Sequence, residues 1–64
     1  MHRFRVMIES KIYTIIKYSD KKYVASEYAT QAREHNFFES VRLIETPQSL
    51  KHYGKWAVAV RGTL

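Results

Sequence analysis

Cysteine is absent from this 64-residue sequence, so neither a disulfide nor a thiolate metal site can staple it. The chain must fold on packing alone, and a reducing compartment suits it. Glycine occurs twice and proline once, which leaves no glycine-rich loop to cradle a phosphate. Long apolar runs are missing too: Ile15-Ile16 and the stretch from Trp56 to Val60 fall far short of the ~20 residues that span a bilayer. No apolar stretch like the core of a signal peptide follows Arg3 and Arg5, so a cytoplasmic protein without membrane contact is expected.

Acidic residues are also few. Six Asp and Glu stand against eleven Lys and Arg, a net charge of +5 with a pI near 9.8. That balance favours an acidic partner, nucleic acid or an acidic protein surface, through long-range attraction, although it can equally serve solubility alone. What the chain does have is aromatic bulk. Five Tyr, three Phe and one Trp within a 45% hydrophobic composition exclude disorder. The length allows one binding domain over residues 1–64. So small a domain buries only ~60% of its unfolded surface, which makes a stabilising partner, or a homodimer in place of a monomer, a real option.

Alternation marks the strands. Phe4, Val6 and Ile8 alternate with Arg3, Arg5 and Met7, and a β-rich run from Ile12 to Tyr18 follows at once. Pairing Ile8 with Ile12, Val6 with Thr14 and Phe4 with Ile16 across Glu9-Ser10-Lys11 keeps one apolar face together; a single bent strand is the alternative. Ser19 as N-cap and Asp20 in the first turn predict a helix from Asp20 to His35, with Val24, Ala25, Tyr28, Ala29 and Ala32 as its inner stripe. Asn36 suits a left-handed helix end. Val41 and Leu43 belong to a third strand that Pro47 ends. Gly54-Lys55 between Tyr53 and Trp56 reads as a type II′ hairpin closed by a Tyr53–Trp56 cross-strand pair, the last strand alternating to Arg61. The predicted fold is α+β, in the order ββαβββ, with a single helix packed on one face of a four- to five-stranded antiparallel sheet. Its core is Phe4, Val6, Ile8, Tyr28, Ala32, Val41, Leu43, Trp56, Val58 and Val60.

Nothing in the chain spells a reaction. His2, His35 and His52 have no metal-ligand spacing. Glu39 and Glu45 flank the third strand, where glutamates are usually solvated rather than poised for acid–base work. No enzyme, cofactor or metal is expected. The opposite sheet face is more informative. It would carry Arg3, Arg5, Met7, Tyr13, Ile15, Lys17, Arg42, Ile44, Ala57, Ala59 and Arg61. Arg and Tyr on an open sheet can hold phosphates and stack bases, and Lys55 at the hairpin tip adds a cation, although no RNP signature is present. The same face can also seat a protein, because interfaces favour Arg, Tyr and Met.

Ala32, Phe38, Val41, Ile44-Glu45-Thr46 and Leu50, followed by Tyr53, Gly54-Lys55 and Trp56 after a shorter hairpin, carry a resemblance over the C-terminal half. In their spacing the chain resembles the small phage anti-CRISPR proteins that inhibit type I-F surveillance complexes, specifically the family with one helix on a five-stranded antiparallel sheet. The resemblance implies a phage-encoded, non-enzymatic inhibitor in the host cytoplasm. Such a protein binds backbone subunits of the crRNA-guided complex, blocks target DNA, and can contact DNA through basic residues. Asn36 falls where the family has a polar contact residue. Ala29 and Thr30 stand where it has basic ones, with Arg33, Lys21 and Lys22 nearby. The expected anchors are Lys22, Arg33 and Asn36 on the helix, then Arg5 and Arg61 on the sheet.

Overall fold

A two-residue turn sets the register of the first hairpin. In the computed structural model, which describes residues 3–35 and 38–62, β1 (Arg5–Ile8) and β2 (Lys11–Ser19) are joined by Glu9-Ser10. Both turn residues have positive φ, 52° and 66°, the mirror-image geometry that matches the twist of paired strands. Val6 therefore pairs with Tyr13 and Ile8 with Lys11, one residue away from the predicted pairing. A one-residue slip exchanges faces, and its consequences reach the functional surface.

The helix α1 (Lys22–His35) starts two residues later than predicted. Ser19 is still the last residue of β2; its Oγ accepts the Lys21 N–H at 3.2 Å, and Lys21 O accepts the Ala25 N–H at 3.2 Å. β3 (Ser40–Glu45), a 3-10 helix (Gln48–Tyr53) and β4 (Trp56–Arg61) complete the order. The strands form one antiparallel sheet, β1-β2-β4-β3. The result is an α+β fold of one helix and four strands.

The predicted strand before Gly54 is replaced by the 3-10 helix, so ββαβββ becomes ββαβ, a 3-10 helix and a closing strand. Gly54 does not turn a hairpin. It ends the 3-10 helix at φ 153°, ψ 162°, a region nearly reserved for glycine. It also passes so close to β2 that an added Cβ would lie 2.9 Å from Ser19 N. Tyr53 and Trp56 consequently form no cross-strand pair. Tyr53 stacks on Tyr18 with centroids 5.1 Å apart, whereas Trp56 packs against the helix-side core.

Two cores sandwich the sheet. On the helix side, Ala25, Ala29 and Ala32 meet Val41, Val58 and Val60, with Ile16, Tyr28, Phe38, Leu43 and Trp56 at the margin. Alanine lets the helix approach the sheet closely, as the sequence stripe predicts. The other face, expected to be open, is a second core of Tyr13, Ile15, Leu50, Ala57 and Ala59, with Val6, Ile8, Tyr18 and Ile44 around it. Val6 and Ile8 thus leave the helix-side core assigned to them, and Phe4 remains 39% exposed. Ala57 and Ala59 are small because Tyr13 and Leu50 fill the space above them. A register shift between Ile15 and Lys17 then reverses the alternation. It leaves Lys17 opposite Val58 on the helix side and Tyr18 opposite Ala57 on the second.

Candidate functional site

The register and the bulge split the basic residues that alternation placed on one face. Arg5 pairs with Thr14, which pairs with Val60, so Arg5, Met7, Ile12 and Thr14 lie on the helix side, with Lys17 further along β2. Tyr13, Arg42 and Arg61 lie on the other. The single basic face with an exposed tyrosine is corrected accordingly.

On the second face the candidates are engaged with the fold. Tyr13 is 3% exposed and its hydroxyl donates to Ser40 Oγ at 2.9 Å, so it presents no ring to a base. On ionisation the Ser40 hydroxyl turns to donate to the phenolate, and with the Arg42 guanidinium beyond it holds the Tyr13 phenol below the ordinary tyrosine value. Arg42 Nη2 lies 3.3 Å from Glu9 Oε2, and contact with Tyr13 and Glu9 raises its own pKa. Arg61 pairs with Glu39 at 3.1 Å, and Lys51 with Glu45 at 3.9 Å. The two glutamates weighed for acid–base work are thus ordinary ion-pair partners.

The helix anchors are partly committed as well. Arg33 donates from Nη2 to Val41 O at 3.1 Å, which ties the helix to β3. Lys22 Nζ lies 5.1 Å from the centre of the Trp56 ring. Asn36 lies outside the described residues. Lys55 is exposed, and its carbonyl accepts the Thr46 N–H at 2.9 Å.

Two features of the β1–β2 half have no structural employment. The helix packs on β2, β3 and β4 and leaves the helix side of β1 bare: Met7 is 71% and Ile12 58% exposed. Beside this apolar pair stands Arg5, two residues from Met7 on the same face of β1. Among the described residues no carboxylate lies within ion-pair distance of Arg3, Arg5, Lys17, Lys21 or Lys22; the three lysines instead lie over Tyr28, Tyr23 and Trp56. The second feature is a cleft of about 780 Å³ lined by Arg3, Phe4, Ile15, Ile16, Lys17, Tyr18, Phe38 and Tyr53. Sequence reasoning placed Arg3, Lys17 and Met7 on the open face, Phe4 in the core and Tyr53 in a cross-strand pair, and assigned no surface role to Ile12 or Tyr18. Two of these, Phe4 and Tyr53, meet 5.7 Å apart only because the 3-10 helix folds back over the sheet.

The fold defines the class: a small α+β domain with one helix and a four-stranded antiparallel sheet. No protein-family model, no curated protein and no solved structure matches the chain. Among the described residues no group of His, Cys, Asp and Glu could hold a metal ion, and no helix is long and apolar enough to cross a membrane.

Proposed function

We propose that this protein is a non-enzymatic inhibitor that lays the bare helix-side face of β1–β2 against an acidic protein surface of a larger nucleic-acid-targeting complex. The observation that carries this reading is the exposure of Met7 and Ile12 beside Arg5, a cation with no ion-pair partner among the described residues. Apolar side chains framed by arginine are the composition of an interface centre, and Met and Arg are enriched there. A standard interface takes ~800 Å² from each partner, about a sixth of the 4786 Å² surface, so one face of this domain suffices. The resemblance to type I-F inhibitors supplies the partner's class, a crRNA-guided ribonucleoprotein of the phage host, with target DNA access as the step blocked. Lys22 and Arg33, on the opposite flank of the helix, are the second contact.

The test is co-purification of the tagged protein from cells with an active type I-F system, joined to a phage interference assay. Arg5→Glu and Met7→Asp should each weaken capture and inhibition at least ~10-fold, about 1.4 kcal/mol, at an unchanged melting temperature. Variants that inhibit like the parent, while Lys22→Ala or Arg33→Ala fails, move the working surface to the helix flank. A parent that captures no complex in any such system ends the reading.

A further inference from the structure

The cleft at the edge of β2 is separate from the docking face and has its own chemistry. β1 pairs with β2 only from Ile8 back to Arg5, with one further hydrogen bond, Ile15 N–H to Phe4 O at 2.8 Å. Beyond it, Lys17 to Ser19 pair with β4 on one side, and Ile16 to Ser19 have no described strand on the other. The space left there is the cleft, about 780 Å³, within the ~300–1,000 Å³ typical of small-ligand sites.

Its walls are aromatic and cationic. Phe4 and Tyr53 are 39% and 49% exposed, so part of each ring faces solvent although they touch one another and Tyr53 also meets Tyr18 and His52. Arg3 and Lys17 stand in the same lining, which contains no carboxylate among the described residues. Exposed ring faces stack planar bases, and cations beside them neutralise a phosphate; the combination recurs wherever single-stranded nucleic acid is held without sequence readout. An aliphatic ligand would leave both cations unused, and an inorganic anion would leave the rings unused.

We infer that this cleft is a nucleotide site: a base stacks on Phe4 and Tyr53 while its phosphate lies between Arg3 and Lys17. The ligand is a planar heteroaromatic base bearing a phosphate, either a free nucleotide or the end of a single strand. This differs from a nucleic-acid surface on the open sheet, because Tyr13 takes no part. It is also independent of the docking face, whose test rests on Arg5 and Met7.

The experiment follows backbone-amide and aromatic NMR shifts of the full chain during titration with AMP, adenosine, inorganic phosphate and a short oligodeoxyadenylate. AMP should give saturable shifts at Phe4, Ile16, Lys17, Tyr18 and Tyr53, with adenosine and phosphate each at least ~10-fold weaker. Arg3→Glu and Lys17→Glu should each weaken AMP at least ~10-fold. Tyr53→Leu should bring AMP down to the affinity of phosphate. Because Lys17 also lies over Tyr28, Arg3→Glu decides the matter if Lys17→Glu loses its fold. An oligomer much tighter than AMP identifies a strand end as the source; equal affinity identifies the free nucleotide. Phosphate binding as well as AMP, shifts centred on Arg5, Lys21 and Lys22 instead of the cleft, or no saturation in the millimolar range would overturn the assignment.

Discussion

Leu50→Ala tests the second core, the largest departure of the fold from its sequence reading. Leu50 is 9% exposed and packs with Tyr13, Ile15, Ala57 and Ala59 on the face opposite the helix. Deleting a buried leucine down to alanine costs roughly 2–5 kcal/mol. Leu50 stands at the rim of its cluster, on a 3-10 helix that can partly settle into the void, so the lower part of that range applies, about 2–3 kcal/mol. A chain of this length has roughly 3–10 kcal/mol of total stability, so the loss is a large share of it. The melting temperature should fall by ~10–20 °C, at ~4–8 °C per kcal/mol. Urea unfolding followed by far-UV circular dichroism measures the change, with Met7→Ala as a control. Met7 is 71% exposed on the other face, and its truncation should stay within ~0.5 kcal/mol. On an open sheet face, Leu50 would be a loop residue. A Leu50→Ala variant as stable as the parent, or a Met7→Ala variant equally damaged, would refute the assignment of the two faces.

Gly54→Ala should destabilise by at least ~2 kcal/mol, because the glycine-only backbone region and the 2.9 Å approach of a new Cβ to Ser19 N act together; a melting temperature within a few degrees of the parent contradicts that approach. Tyr18→Phe should be neutral or stabilising by up to ~1 kcal/mol at neutral pH, since it removes a buried hydroxyl with no partner, and a clear loss in urea unfolding would reveal a partner. Burial pushes the Tyr18 phenol up, so its share of stability is complete below the ordinary tyrosine value of ~10 and fades as pH rises toward its folded-state value. The advantage of the Phe variant should therefore widen above about pH 10, and a pH-independent difference in unfolding free energy denies the shift. Tyr13 behaves in the opposite sense: its depressed phenol adds stability above that value and loses it as pH falls, so absorbance titration should show one tyrosine ionising early and one late.

The helix, and the faces of β3 and β4, were legible because their signals are local. Ala25, Ala29 and Ala32 repeat at helical spacing, and Val58 and Val60 alternate with alanines in a strand of fixed direction. The first hairpin was not, because its turn has no glycine. Glu9 and Ser10 adopt positive φ without the Asn-Gly or Asp-Gly pair that announces such a turn, and a three-residue loop was the reasonable expectation. The bulge at Ile16 is equally silent in sequence. These two features put Arg5, Met7 and Lys17 on the helix side instead of the open face, while Tyr13 keeps its expected side but is buried there. The 3-10 helix was hidden behind Gly54-Lys55, a plausible hairpin turn whose glycine is in fact needed for the approach to Ser19. Ala57 and Ala59 are the local signal of the second core. Alanine is unfavourable in strands, and two of them on one face are better explained by a bulky cover than by an open surface.

The distribution of charge joins the fold to its proposed work. Among the described residues, three of the eleven cations and three of the six acids are spent in ion pairs, all involving β3, β4 or the 3-10 helix. Exposed pairs of this kind contribute at most ~1 kcal/mol each, too little to explain them by stability alone. Their larger effect is electrical, because they neutralise the β3 side of the sheet. The acids left over, Asp20, Glu27 and Glu34, lie on the helix or at its entry, none on β1 or β2. Of the eight cations outside these pairs, Arg5, Lys11 and Lys17 on β1 and β2, with Arg3 just before them, belong to an acid-free part that carries the bare Met7–Ile12 pair and one wall of the aromatic cleft. Lys21, Lys22, Arg33 and Lys55 lie at the helix entry, on the helix and before β4. A field of one sign concentrated over the least covered apolar surface orients an approaching acidic partner toward that surface before contact. The same concentration acts against self-association through this face, since a second copy would bring like charge to like charge.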